Sequence, residues 1–299
     1  MAIVDANVLL FDRRVRVTLA KPTNGSFVQT EPNAIEIEDL RVSFKIEKKL
    51  QKNPNKAEIT IYNLNEQTRT FVQKKPLVVR LEAGYKDQIA QLWTGDMTFS
   101  SSTLDGVDWK TTIEIVNAER AFNYARCNRS FKSSLGGSNT TVLDLVNEVS
   151  DSMELPVTMP PDVKAELTSA QLRGAYTLRG PSRDVLDKIL LNRGYEWSFQ
   201  DNQIQILKKY QIRADRAFLV NQDTGMIGSP QYNAPKVPGK SAVLKVVTLL
   251  YADLVPGQKI KVESRAITGV FRLDAVTHIG DTHSKEWFSE LECSPISTG

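Results

Sequence analysis

Apolar and polar residues alternate with a period of two over much of the first third of the chain. Val15, Val17 and Leu19 share one side while Arg14, Arg16 and Thr18 take the other, and Val42, Phe44 and Ile46 repeat the pattern against Arg41, Ser43 and Lys45. The same phase returns at Ala57, Ile59 and Ile61, at Leu77, Val79 and Leu81, and at Thr111, Ile113 and Ile115. Successive side chains of a strand point to opposite faces, so these segments predict antiparallel sheet with one face buried and one wet.

The order of strands is then repeated. From Ala57 the chain reads AEITIYNLN, PLVVRLEAG from Pro76, LWTGDMTFSSS from Leu92 and WKTTIEI from Trp109. From Val243 it reads VLKVVTLLYADLV, PGQKIKVESR from Pro256, VFRLDAVTHIGDT from Val270 and WFSELEC from Trp287. Both series end on a strand that opens with Trp and alternates in the same phase: Trp109, Thr111, Ile113 and Ile115 against Trp287, Ser289, Leu291 and Cys293. This predicts a duplicated β-unit that presents the same surface twice, which suits assembly better than chemistry.

Between the copies the period changes. Thr141 with Asp144 three residues on predicts a capping box, and Val142, Leu145, Val146, Val149 and Met153 form one helical stripe. A second helix is expected after Pro181, with Ser182 as N-cap, Asp184 near the positive dipole end, Val185, Leu186, Ile189 and Leu190 buried, and Gly194 as its stop. Tyr195, Trp197 and Phe199 then alternate, Asp201-Asn202 can turn, and Ile204 and Ile206 return as a hairpin partner. Gln222 to Ala242, with Gly225, Gly228, Pro230, Pro235, Pro238 and Gly239, reads as a linker. The expected class is α+β, mainly antiparallel β. Residues 1–125 and 210–299 hold two similar barrel or sandwich domains, and residues 126–209 a small α+β domain with two helices and a hairpin.

With 299 residues, 41% hydrophobic and 24% charged, the chain can build two or three cores without a disulfide framework. The two cysteines, Cys127 and Cys293, fit neither a stapled module nor a four-ligand zinc site and are expected as free buried thiols. A net charge of +3 gives no overall field toward DNA or an acidic membrane. Asp5 and the short apolar run from Val8 to Phe11 do not read as an export signal, and Val243 to Val255 is too short and polar to span a bilayer.

Candidate chemistry is sparse. No Walker loop, GxGxxG, HExxH, GxSxG or CxxC occurs, and only His278 and His283 supply imidazoles. They flank Asp281 in THIGDTH, a possible donor set for a metal, but Gly280-Asp281 reads as the turn between two strands, and the preferred reading is a polar turn. KIEKKLQKNPNK carries Lys45, Lys48, Lys49, Lys52 and Lys56 against Glu47 alone, either a patch for polyanions or a solvated hairpin tip turning at Asn53-Pro54-Asn55. The tip is preferred, because stacking aromatics are missing from the run. The glycines of GGSNTT from Gly136 could form an anion nest but read as an approach to the cap at Thr141. No residue is assigned a catalytic, cofactor or metal role.

NKAEITIYNLNEQTR from Asn55, LEAGY from Leu81 and LWTGDM from Leu92 resemble the N-terminal part of tail hub proteins of tailed bacteriophages. TGMIGSP from Thr224, ADLVPGQKIKVES from Ala252 and VTHIGDTHSKEW from Val276 resemble their C-terminal part. The likeness covers most of the chain in the right order and is weakest from Ser130 to Pro181. It implies a non-enzymatic baseplate hub without cofactor, assembled in the host cytoplasm and located at the tail tip of the virion. The implied form is a homotrimer whose two tube-like domains per subunit imitate a sixfold ring. Implied partners are the tail tube or tube-initiator proteins, the central spike, the tape-measure protein and baseplate wedge proteins. DNA would pass the lumen without specific binding, and no membrane is involved. The competing readings are a metal enzyme at His278, Asp281 and His283, and a glycan- or receptor-binding module.

Overall fold

The structure, a computed structural model, describes residues 12–24, 26, 30–74, 76–86, 88–132, 140–172, 174–213, 217–233 and 242–296. The opening apolar run, the glycines of GGSNTT, and Pro235, Pro238 and Gly239 lie outside the described residues.

The first β-unit contains β1 (Arg13–Ala20), β2 (Ile35–Ile37), β3 (Val42–Lys49), β4 (Lys56–Tyr62), helix α1 (Glu66–Gln73), β5 (Val78–Tyr85), β6 (Gln88–Asp105) and β7 (Asp108–Val116). The middle region holds α2 (Glu119–Tyr124), β8 (Arg126–Phe131), α3 (Val142–Met153), β9 (Val157–Thr158), α4 (Pro161–Ser169), β10 (Tyr176–Pro181), α5 (Ser182–Leu190), β11 (Tyr195–Gln200) and β12 (Gln203–Lys208). β13 (Phe218–Val220), β14 (Met226–Asn233), β15 (Val243–Leu249), β16 (Lys259–Glu263), β17 (Thr268–Asp281) and β18 (Trp287–Pro295) complete the chain.

The two β-units share one topology. The first pairs its strands in the order β3-β4-β7-β6-β5-β1 and the second in the order β14-β15-β18-β17-β16-β13, so position in the chain and position in the sheet correspond strand for strand. Each long strand carries an irregularity at the same place. β6 skips one residue against β7 between Met97 and Phe99, and β17 skips one against β18 between Leu273 and Ala275. A bulge twists and bends its strand, so its recurrence marks a shared shape and not only a shared order. Superposing the two bulges pairs Ile115 with Cys293, Ser102 with His278, Leu104 with Gly280 and Trp109 with Trp287. The units differ at one edge, where β1 runs antiparallel to β5 and β13 parallel to β16.

The α+β, mainly antiparallel class holds, with a correction to the expected barrels: the units do not close on themselves but fuse into one 13-stranded sheet. The alternation is what positions the core. Val15, Val17, Leu19, Val42, Phe44, Ile46, Ala57, Ile59 and Ile61 are all buried in one cluster, and Leu244, Val246, Leu291 and Cys293 in another. Cys127 and Cys293 are free and buried.

The middle region has its own cluster, in which Tyr195, Trp197, Phe199, Ile204 and Ile206 pack with Leu145, Val149, Leu186 and Leu190. Thr141 caps α3 with the complete capping box, and Asp201 and Asn202 both adopt positive φ in the β11–β12 turn, as a tight hairpin requires. Two further helices, α2 and α4, add to the two expected, and for α4 Pro161 at its first turn with Asp162 behind it is the available signal. Ser182 is not the N-cap of α5. Pro181 takes that position, and the Ser182 hydroxyl lies inside the core, 2.8 Å from Ser152 Oγ. The expected linker contains strand β14, and its Gly225 and Gly228 hold positive φ at the turn and at an irregularity in the strand. No described helix is long and apolar enough to cross a membrane.

Candidate assembly interface

The two units meet along β17. Its first half pairs with β16 of its own unit, and residues 275–281 pair antiparallel with β3 of the first, from Ala275 opposite Lys49 to Asp281 opposite Ser43. Main-chain ladder bonds make the seam part of the sheet. The hairpin after β17 is clamped as well, since Thr282 donates its N–H to the Val42 carbonyl at 3.0 Å.

An aromatic group anchors the seam. Trp287 is 2% exposed, with Phe44 edge-on at 5.6 Å and Tyr85 edge-on at 6.2 Å, and with the Arg13 guanidinium 5.4 Å from its ring. Burial pushes the Tyr85 hydroxyl up to about 12. Gly280 gives Phe44 its space, because a Cβ there would lie 2.3 Å from the Phe44 ring. Edge-to-face aromatic pairs add ~0.5–1.5 kcal/mol beyond the area they bury.

The histidine motif is dispersed by this geometry. His278 is fully buried and its Nδ1 sits 2.8 Å from Ser289 Oγ, while Nε2 has no partner. Burial, and then the nearby Lys48 ammonium, hold its pKa well below the ordinary value. Asp281 ends β17 and accepts from Arg41 at 2.8 and 3.2 Å and from the His283 N–H at 2.8 Å. Burial alone would raise its carboxyl, but Arg41 and those N–H donors outweigh it and hold the pKa low. His283 is exposed on the following turn, beside Thr282. The polar-turn expectation is corrected on two points: the turn begins after Asp281, and His278 belongs to the core. Among the described residues no group of three or more His, Cys, Asp and Glu could hold a metal.

The lysine-rich segment forms the expected hairpin, with Gln51, Lys52 and Asn53 exposed at its tip, but its flanks are held by the middle region. Lys48 is 1% exposed and its ammonium meets Asp201 at 2.6 Å. Asn55 donates to the Phe199 carbonyl at 2.8 Å, and Gln200 donates to the Lys49 carbonyl at 2.9 Å. Lys52 reaches Asp187. The β3–β4 hairpin is therefore the mount for the middle region, which also grips the second unit through Glu196 and the buried Arg272 at 2.7 Å.

Among the described residues β2 and β13 each pair on one side only, and two further edges are open. β14 ends the sheet with one side unpaired, and the second half of β6, residues 101–105, pairs only with β7. Exposed apolar side chains collect on both: Leu104, Val107 and Trp109 on the β6–β7 hairpin, Ile227 and Tyr232 on β14. Periodicity could mark the strands, but only pairing partners reveal which edges are covered.

The same fold occurs in tail proteins of solved structure. The tail protein of prophage MuSo2 from Shewanella oneidensis aligns with a TM-score of 0.62 at 8% identity, over 94% of this chain and 96% of that one. The tail protein from Neisseria meningitidis MC58 aligns at 0.60 and 9%, over 95% and 96%. The c3393 protein of E. coli, a type VI secretion component described as similar to the T4 tail proteins gp27 and gp5, aligns at 0.55 and 12%, over 87% and 74%. No curated protein matches the chain. Residues 14–266 match the family of the baseplate hub gp41, and the chain belongs to that family. It is a structural protein of the virion tail, placed at the baseplate.

Proposed function

We propose that three copies of this chain form the hub ring, each contributing two alternating β-units so that a threefold assembly offers a sixfold face. The observation that carries this reading is the internal seam: two units of one topology, with bulges at the same place, already stand side by side in a single sheet. A chain with two similar docking surfaces can join a hexameric tube to a trimeric spike. The three core clusters would fall mainly within domains at residues 1–125, 126–209 and 210–299, with Ala118, Ala121 and Ala125 joining the middle cluster and Leu250 and Trp287 the first.

In this ring the wet face of the sheet would line the lumen. Lys45, Glu58 and Glu114 on the first unit and Lys245, Glu290 and Glu292 on the second give it mixed charge, which lets DNA and a tape-measure protein pass without adhesion. Tail tube or tube-initiator proteins would dock on one rim and the spike on the other, with wedge proteins outside. Enzymatic activity forms no part of this reading. Light-scattering mass of the purified protein, alone and with its spike, tests it: the expected particle is about three times 33.5 kDa, and a monomer under both conditions overturns it.

A further inference from the structure

We propose that two of the open edges are halves of one joint, with β14 of one copy adding antiparallel to residues 101–105 of β6 in a second copy. The proposal rests on the trimer reading and specifies how its subunits meet.

The internal seam is the template. There β3 of the first unit lies against the second half of β17, and the counterparts of these two elements by topology and bulge position are β14 and the second half of β6. β3 and β14 hold matching places on their neighbours, since Lys45 stands opposite Glu58 and Gln231 opposite Lys245, with Glu58 and Lys245 themselves opposite Glu114 and Glu292. Carrying the seam register across sets Ser101 opposite Asn233, Ser102 opposite Tyr232 and Thr103 opposite Gln231.

Three further observations fit this joint and name its occupant. First, exposure follows it: Trp287 is 2% exposed where the seam covers it, whereas its counterpart Trp109 is 36% exposed, Leu104 58% and Tyr232 51%. Second, bulk is exchanged between the sides. At the seam Phe44 is large and Gly280 is bare. At the open edges the same register sets Leu104 opposite Pro230, so the larger side chain comes from β6 and the smaller from the irregular stretch of β14. Third, the hairpin after β17 rests on Arg41 and Val42. The corresponding place on the second unit borders an empty groove of about 840 Å³ lined by Asn221, Met226, Gly228, Glu263 and Arg265. The neighbour's β6–β7 tip, with Val107 93% exposed, is the matching occupant. Such a contact is head-to-tail, and three repeats close it into a ring if the rotation matches that at the seam.

The test is a paired substitution, Thr103→Cys with Gln231→Cys, in the full-length protein. Both residues are exposed, and their seam counterparts alternate with the ladder-bonded positions that Thr282–Val42 and Leu50–Asp274 mark, the close-set pairing a disulfide needs. Mild oxidation should shift the chain from one-chain to three-chain mobility on a non-reducing gel. The control Thr103→Cys with Tyr232→Cys, one residue out of register and on the opposite face, should not shift. A trimer by mass in which the first pair stays unlinked, or links no better than the control, overturns the joint and leaves the trimer. A protein that never trimerises overturns both.

Discussion

Trp287 and Trp109 open the same strand in two copies of one unit, yet one is 2% exposed and the other 36%. Trp287 is enclosed by Phe44 and Tyr85, whereas Trp109 has an arginine, Arg69, stacked 4.2 Å from its ring. Sequence phase is identical, so burial here is decided by what docks against the edge. The covered copy shows what the open copy is shaped to receive.

Truncation should separate the two copies most sharply. Trp287→Ala removes a buried aromatic and is expected to cost ~3–5 kcal/mol of stability in denaturant melts. Trp109→Ala should cost under ~1 kcal/mol in the isolated chain while weakening assembly. Equal losses in the isolated chain would erase the contrast. A smaller effect is expected at the next pair: Gly280→Ala forces Phe44 aside and should cost ~1–3 kcal/mol, whereas Leu104→Ala should be silent until subunits meet.

Protonation distinguishes His278 from Ser102, its counterpart. His278 has a folded pKa below the unfolded value of ~6.5, so below that pH the unfolded chain binds more protons and stability falls as pH falls. The slope from this residue is at most ~1.4 kcal/mol per pH unit, and it begins below ~6.5. His278→Ser should flatten that part of a stability profile measured from pH 7.5 to 5; an unchanged slope would show that other groups set it. Least of all, His283→Ala should alter stability by less than ~0.5 kcal/mol and leave the mass of the particle in solution unchanged. Loss of infectivity with assembly intact would instead point to chemistry at that turn.

Local rules made the strands, the capping box of α3 and the β11–β12 hairpin legible, because each is written within a few consecutive residues. Lys48 was also legible in principle: it continues the buried phase of Val42, Phe44 and Ile46, a stronger signal than its membership in a basic run. His278 likewise keeps phase with Val276 and Gly280. The seam was not legible. β3 and β17 lie more than two hundred residues apart, and nothing in either strand names its partner. α4 leaves little periodic signal because its apolar face is short, only Val163 and Leu167 being buried.

The mount at Lys48 and Asp201 has a mechanical consequence. The middle region is bolted to one unit through Lys48, Asn55 and Gln200, and to the other through Arg272. A thrust arriving there is shared between both halves of the sheet and does not bend a hinge between them, so the chain would tilt under load as a single lever.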